Sequence, residues 1–381
     1  MELIKAVYQA TTPDRDPALL AENIAREQSL ELTRPLIAEA IAERLLGRVL
    51  AVEQIDQQRW RLDIGYPAEL ASAQAGQLLH LLYGTISFYP RIRLIGLELP
   101  TSLLRQLKGP RAGLPGIRRY VGVSDRALLM TVLKPRGSTP EQLAALALAF
   151  ARGGGDLIKD DQNLVETDFE AFKQRVGVCA EAVARATEER GRRCLYLPHV
   201  AGSGEHLERQ LALVKSLGLP GVVMCSWAMG LETAADAARR HELMWLSHPA
   251  MAGVFTEPED RGIAADVLLG TLVRAAGADI SIFPGSGGRI QSGRPDDQAS
   301  ICRALTGPLA DLAPTLPCSG GGKTLELAAE TARHQGPDCA ILVGGDLIAR
   351  GDNISSCVAE TIAALGHQAR PEGSKEPPVL P

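Results

Sequence analysis

Two rhythms of apolar and polar positions divide the chain. Up to about residue 115, short strand-like runs mix with amphipathic stretches. Leu3–Tyr8, Val49–Gln54, Trp60–Ile64 and Ile92–Leu97 read as strands; Pro17–Arg26, Pro35–Leu46 and Leu78–Leu82 read as helices. Asp56-Gln57-Gln58 supplies a turn between two of these strands, and Gly109-Pro110 with Gly113–Gly116 marks a boundary. From about Ala127 the pattern changes to short apolar runs, most followed by a longer amphipathic segment. The runs are Leu128–Leu133, Leu157–Ile158, Cys194–Leu197, Gly221–Cys225, Met244–Leu246, Ile280–Phe283, Thr315–Pro317 and Ala340–Val343. Helical stretches include Pro140–Arg152, Asp168–Arg190, Glu205–Ser216 and Ala234–Arg240.

Eight β-then-α units over this length predict a (β/α)8 barrel across residues 116–370, behind an α+β (ferredoxin-like) domain at 1–115. A doubly wound sheet is the alternative, but it wants fewer strands and no GxGxxG follows the first one. The proline-rich residues 371–381 read as a flexible tail.

Composition narrows the function. Apolar residues at 45% supply a sizeable core. Forty basic against 45 acidic residues give a formal charge of −5 with no long basic run, which argues against nucleic-acid binding. No run of about 18 apolar residues predicts a membrane helix, and Met1–Lys5 lacks signal-peptide character. The seven cysteines include no CxxC pair, so a reduced, cytoplasmic protein is expected.

In such barrels the active site lies at the C-terminal ends of the strands. Those ends read Lys134-Pro135-Arg136-Gly137, Lys159-Asp160-Asp161-Gln162, Ser247-His248-Pro249, Pro284–Arg289, Ser319–Lys323 and Gly344-Gly345-Asp346. Successive glycines after the seventh and eighth strands let backbone N–H groups approach an anion, a phosphate cradle; as single clusters they equally serve as turn formers. Lys159 beside two carboxylates admits three readings. It is a charged salt-bridge lysine, an amine made unprotonated by nearby Lys134 and Arg136, or a modified lysine whose new carboxylate binds a divalent cation such as Mg2+. Spacing does not choose among them. His199, Cys225 and Cys318 lie near the strand ends, with structural roles expected at least as often as catalytic ones. Asp346 reads as a site neighbour or as the cap of the next helix.

Taken together these motifs resemble the RuBisCO large-chain family and its RuBisCO-like (form IV) relatives, over most of the chain. Thr131–Arg136 resembles the T-x-K-P-K segment, Gly153–Gln162 the highly specific G-G-x-D-F-x-K-D-D-E segment, and Ser319-Gly320-Gly321 with Gly344-Gly345 the two glycine loops. Lys108-Gly109-Pro110 and Glu27-Gln28-Ser29 resemble the F-x-G-P and E-S-S segments. The resemblance implies that Lys159 is carbamylated by CO2 and binds Mg2+ with Asp161, and that Lys134 and His248 are catalytic. It also implies that Ser319, Gly320, Gly321, Gly344 and Gly345 hold a phosphate. It further implies a homodimer in which Glu27 reaches the partner's active site.

The departures point away from CO2 fixation. Gln162 stands where carboxylating members have a metal-binding glutamate, which weakens Mg2+ binding and makes a metal-free site conceivable. Pro249 stands where an arginine grips the second phosphate, Phe283 aligns with the sixth-strand histidine, and Thr85 replaces an asparagine. The lid lysine has no clear counterpart, Arg289 being the nearest basic residue. The resemblance therefore implies enolisation or isomerisation of a ketose 1-phosphate with an uncharged distal end. The 5-methylthioribulose 1-phosphate and diketo-methylthiopentyl phosphate reactions of sulfur salvage fit that description, with Pro249 and Phe283 compatible with an apolar distal pocket. Decarboxylation of a 3-oxo sugar acid phosphate and a non-catalytic binding protein are the alternatives.

Overall fold

The computed structural model describes residues 2–12, 16–290, 294 and 297–366. The expected tail at 371–381, and the end of the barrel range up to 370, lie outside them. Four strands, β1 (Leu3–Thr11), β2 (Arg48–Gln54), β3 (Arg59–Pro67) and β4 (Ile92–Glu98), pair antiparallel in the order β4-β1-β3-β2. With helices Pro17–Ser29 after β1 and Ala75–Tyr83 after β3, this is the expected ferredoxin-like arrangement. Its first helix starts as the sequence dictates. Asp16 accepts a hydrogen bond from the Ala18 N–H (2.9 Å) and Pro17 takes the first helical position. Ile4, Ala6, Tyr8 and Ala10 turn into the core under it.

The stretch expected as one helix, Pro35–Leu46, is instead a 3-10 turn at Arg34–Leu36 and a short helix at Glu39–Leu45. Only Ala42 of that helix is buried and Leu36 is 71% exposed, so little tertiary packing stabilises a longer one.

Nine further strands follow among the described residues: β5 (Leu128–Leu133), β6 (Leu157–Asp160), β7 (Leu195–Leu197), β8 (Gly221–Met224), β9 (Met244–Ser247), β10 (Gly262–Ile263), β11 (Ile280–Pro284), β12 (Leu316–Lys323) and β13 (Ala340–Val343). The sequence pattern did not reveal β10, which pairs parallel with the edge of β4 and ties the N-terminal sheet to the barrel. The other eight form a parallel sheet in the order β7-β6-β5-β13-β12-β11-β9-β8. A bridge between His199 and Val223 closes the ring, with the Val200 N–H donating to the Val223 carbonyl (3.1 Å) and the Val223 N–H to the Pro198 carbonyl (2.8 Å). The result is the expected (β/α)8 barrel.

Every second residue of the strands fills the barrel interior, including Leu128, Met130, Leu157, Leu197, Leu246 and Cys318. The floor is pinned by buried ions. Arg126 donates to both Asp156 oxygens (2.7 and 2.9 Å), and Asp156 also accepts the Leu129 N–H (2.8 Å). Thus Asp156, the first aspartate of the Gly153–Gln162 segment, is structural, and only the segment's far end reaches the mouth. Among the described residues, no helix is long and apolar enough to cross a membrane.

Candidate active site

Strand alternation decides which side chains meet above the barrel core. Counting by twos from the interior residues Leu157, Leu197, Val223 and Leu246 leads to Lys159, His199, Cys225 and His248. These four crown the adjacent arc β6-β7-β8-β9. The same count sends Asp160, Phe283 and Ser319 to the outer face.

Lys159 is 1% exposed. Its Nζ donates to the Asp160 carbonyl (2.7 Å), and among the described residues it makes no ion pair. The salt-bridge reading fails with respect to Asp160 because that carboxylate is taken elsewhere. It is ion-paired to Arg175 and accepts from the Tyr196 hydroxyl (2.9 Å) and the His199 N–H (3.0 Å). Burial pulls the Lys159 amine below its ordinary range, against the opposing pull of Asp161 and Asp160. The cause is thus desolvation and not the neighbouring cations Lys134 and Arg136 expected from the sequence. Arg136 is exposed.

Asp161 and Gln162 are half-buried beside this amine, Asp161 accepting the Asn163 N–H (2.9 Å). Among the described residues, no three His, Cys, Asp or Glu side chains gather into a ready metal site. One carboxylate and one amide fit Mg2+ only once Lys159 carries a carboxylate of its own.

Two imidazoles share the crown. The buried His199 donates from Nδ1 to the Leu164 carbonyl (3.4 Å), which leaves Nε2 as an acceptor facing the Cys225 thiol at 3.8 Å. The half-buried His248 accepts the Ala250 N–H at Nδ1 (3.2 Å), so its proton sits on Nε2. Both are held below the usual histidine range. Burial is the main cause for each, and for His248 the neighbouring Lys159 and His199 add to it. Burial also pushes up the Cys225 thiol, and pushes the Cys318 thiol of the barrel interior to about 12. His199 and Cys225 carry the signal the sequence reading undervalued, the step of two from the interior positions.

The glycine loops lie across the ring on β12 and β13. Gly344 leaves room for Lys134, since a Cβ there would stand 2.7 Å from Val132 Cγ1 and 3.1 Å from Lys134 Nζ. This brings the first-strand lysine onto the predicted phosphate cradle. Gly321 adopts φ +102°, and a Cβ would fall 2.2 Å from the Ile290 carbonyl. The loop after β11 is folded onto the glycine-rich end of β12: the Gly285 N–H donates to the Gly320 carbonyl (3.0 Å) and the Ile290 N–H to the Gly321 carbonyl (2.7 Å). Lys323, the last residue of that strand end, is buried and donates to the Ser286 carbonyl (2.6 Å).

Other expectations are corrected. Phe283 is fully buried and packs outward against the helices, so it does not line a distal pocket. The Ser319 hydroxyl likewise turns away from the mouth and is buried without a hydrogen-bond partner among the described residues, leaving its backbone as the contact it offers. Asp346 accepts the Leu325 N–H (3.0 Å) and pairs with Arg350, so it braces a neighbouring helix start instead of capping its own. Arg289 is exposed on the rim. Glu27 and Thr85 share a cleft of about 300 Å³ lined entirely by N-terminal residues. Gln28 fixes it by donating to the His80 and Leu81 carbonyls (2.9 Å each) and accepting the Ile86 N–H (3.0 Å). Glu27 therefore does not meet the strand ends of its own chain.

The chain matches the model of the ribulose bisphosphate carboxylase large chain catalytic domain over residues 113–348. It is 36% identical over 366 residues to ribulose bisphosphate carboxylase-like protein 1 of Rhodopseudomonas palustris, covering 96% of this chain and 98% of that one. It is 31% identical over 369 residues to the 5-methylthioribulose-1-phosphate isomerase of Rhodospirillum rubrum, covering 96% and 97%. The crystal structure of a Rubisco-like protein from Rhodopseudomonas palustris superposes with a TM-score of 0.87 at 32% identity, over 98% of this chain and all of that one. Barrel, motifs and relatives agree: the chain belongs to the RuBisCO large-chain family, among its RuBisCO-like members.

Proposed function

We propose that this protein enolises or isomerises a ketose 1-phosphate whose distal end is uncharged, of the 5-methylthioribulose 1-phosphate type, and does not fix CO2. The observation that carries the reading is Lys159. A buried amine that makes no ion pair among the described residues costs stability, and an inert scaffold has no use for it. Enolisation needs an anchor, a proton carrier and an electrophile at the carbonyl oxygen. In this reading the backbone of Ser319, Gly320, Gly321, Gly344 and Gly345 anchors the phosphate, and Lys134 stands against that anchor. Lys159, as the neutral amine or its carbamate, takes the proton next to the ketone. His248, protonated on Nε2, donates to a substrate oxygen. Lys159 as a carbamate, Asp161 and Gln162 would hold Mg2+, whose charge would polarise the carbonyl. Pro249, in place of a phosphate-gripping arginine, supports a substrate with one phosphate.

A homodimer belongs to the same reading. The Glu27 cleft and Phe88, 90% exposed beside it, wait on the N-terminal unit for a second copy's barrel mouth.

Incubating the protein with 5-methylthioribulose 1-phosphate and following the phosphorus resonances tests the reaction. A new phosphate ester is expected; an unchanged spectrum across a panel of ketose 1-phosphates contradicts it. Two variants test the site. Gly344→Ala pushes a methyl into Val132 and Lys134, and kcat should fall roughly 100-fold, as for a reacting group displaced by about 1 Å. Gln162→Glu restores a negative ligand and should tighten Mg2+ binding about 10-fold in bicarbonate, read by calorimetry. Unchanged affinity would remove Gln162 from the cation site.

A further inference from the structure

Isomerisation needs two proton transfers, and a second set of groups in the mouth is arranged for one. Cys225 follows β8, and β8 lies four places from β13 in the eight-stranded ring, directly opposite Gly344 and the Lys134 amine packed on it. Cys225 is partly exposed to the mouth, whereas its partner His199 is buried. The direction of their hydrogen bond is fixed by what lies behind. The Leu164 carbonyl can only accept, so His199 Nδ1 keeps the proton and Nε2 receives the thiol's. His199 is itself held by its backbone N–H on Asp160, which Arg175 and Tyr196 immobilise. A thiol donor and an imidazole acceptor thus stand side by side on the wall farthest from the phosphate cradle.

We propose that Cys225 and His199 form the second proton station of the site, collapsing the enediol that the lysine station makes. The inference rests on the enolising function proposed above. The step balances within the pair. The Cys225 S–H bond breaks as its proton forms a new C–H bond at the enediol carbon that carried the substrate's carbonyl. The C=C electron pair supplies that bond. The neighbouring enediol O–H gives its proton to His199 Nε2, and its electrons become the carbonyl of the product. The imidazolium then returns one proton to the thiolate, restoring both groups.

Cys225→Ser tests the pair, being nearly isosteric; Cys225→Ala repeats the test should the serine variant fold poorly. Both are compared with wild type on the same ketose 1-phosphate in D2O, following C–H exchange next to the ketone and conversion to isomer separately. The variants should exchange within about 3-fold of wild type while conversion falls at least about 100-fold, the usual worth of a general acid–base group. A merely structural cysteine would lower exchange and conversion together, and that result overturns the proposal. Equal conversion by variant and wild type overturns it too, while leaving the enolase reading in place. Wild type that neither exchanges nor converts any ketose 1-phosphate overturns both.

Discussion

Replacing Lys159 with methionine should lower kcat by at least about 10³-fold while leaving the thermal midpoint unchanged or raised. The two halves of this expectation come from one observation. The side chain is fully buried, donates to a single backbone carbonyl and has no ion pair among the described residues. Methionine fills the same volume without a polar group to desolvate, so the fold loses one weak hydrogen bond and sheds a burial cost. Chemistry, in contrast, loses the amine that serves as base or is converted to the carbamate. Melting curves and steady-state kinetics on one preparation check both halves. Retained activity would remove Lys159 from the mechanism; a large loss of stability would make its role structural.

Arg175→Met should be the most destabilising change near the site, costing about 3–5 kcal/mol and roughly 4–6 °C of melting temperature. Arg175 is 3% exposed and pairs with two carboxylates, Asp160 and Glu166, the latter at 2.6 and 2.9 Å. Removing it strands the Asp160 charge in the barrel wall with, among the described residues, only the Tyr196 hydroxyl and the His199 N–H as donors. Because Asp160 holds the His199 backbone, the crown of the barrel should loosen as well, and activity should fall in the fraction that remains folded. A melting temperature within about 1 °C of wild type would show that the ion pair does not hold the wall.

These two neighbours, Lys159 and Asp160, mark what the sequence made legible and what it hid. The run Lys159-Asp160-Asp161-Gln162 located the site because strand ends collect polar residues. It could not say which of them face inward, since that depends on strand phase. Once Leu157 is placed in the interior, alternation puts Lys159 in the mouth and Asp160 outside it with Arg175, fifteen residues on. The same phase was available for β7 and β8, where it leads to His199 and Cys225, and for β11, where it takes Phe283 out of the proposed distal pocket. The barrel's eight strands were readable because each contains a short apolar run set in a repeating alternation with helical stretches. Strand β10 was not, because two residues carry no pattern and its pairing with β4 is set by tertiary contact alone. Glu27 was recognised by resemblance; only the structure places it in a cleft away from its own chain's strand ends.

Proton NMR in D2O on the wild-type protein, with a panel of ketose 1-phosphates, tests the central claim most directly. The runs are made with and without Mg2+ and bicarbonate. The account predicts loss of the C–H signal next to the ketone, with no incorporation of labelled CO2. Exchange that needs both additives would place the carbamate of Lys159 at the centre, and exchange that needs neither would place its neutral amine there. A protein that binds inorganic phosphate yet exchanges no substrate proton under any of these conditions would contradict the claim that this barrel is an enolising enzyme.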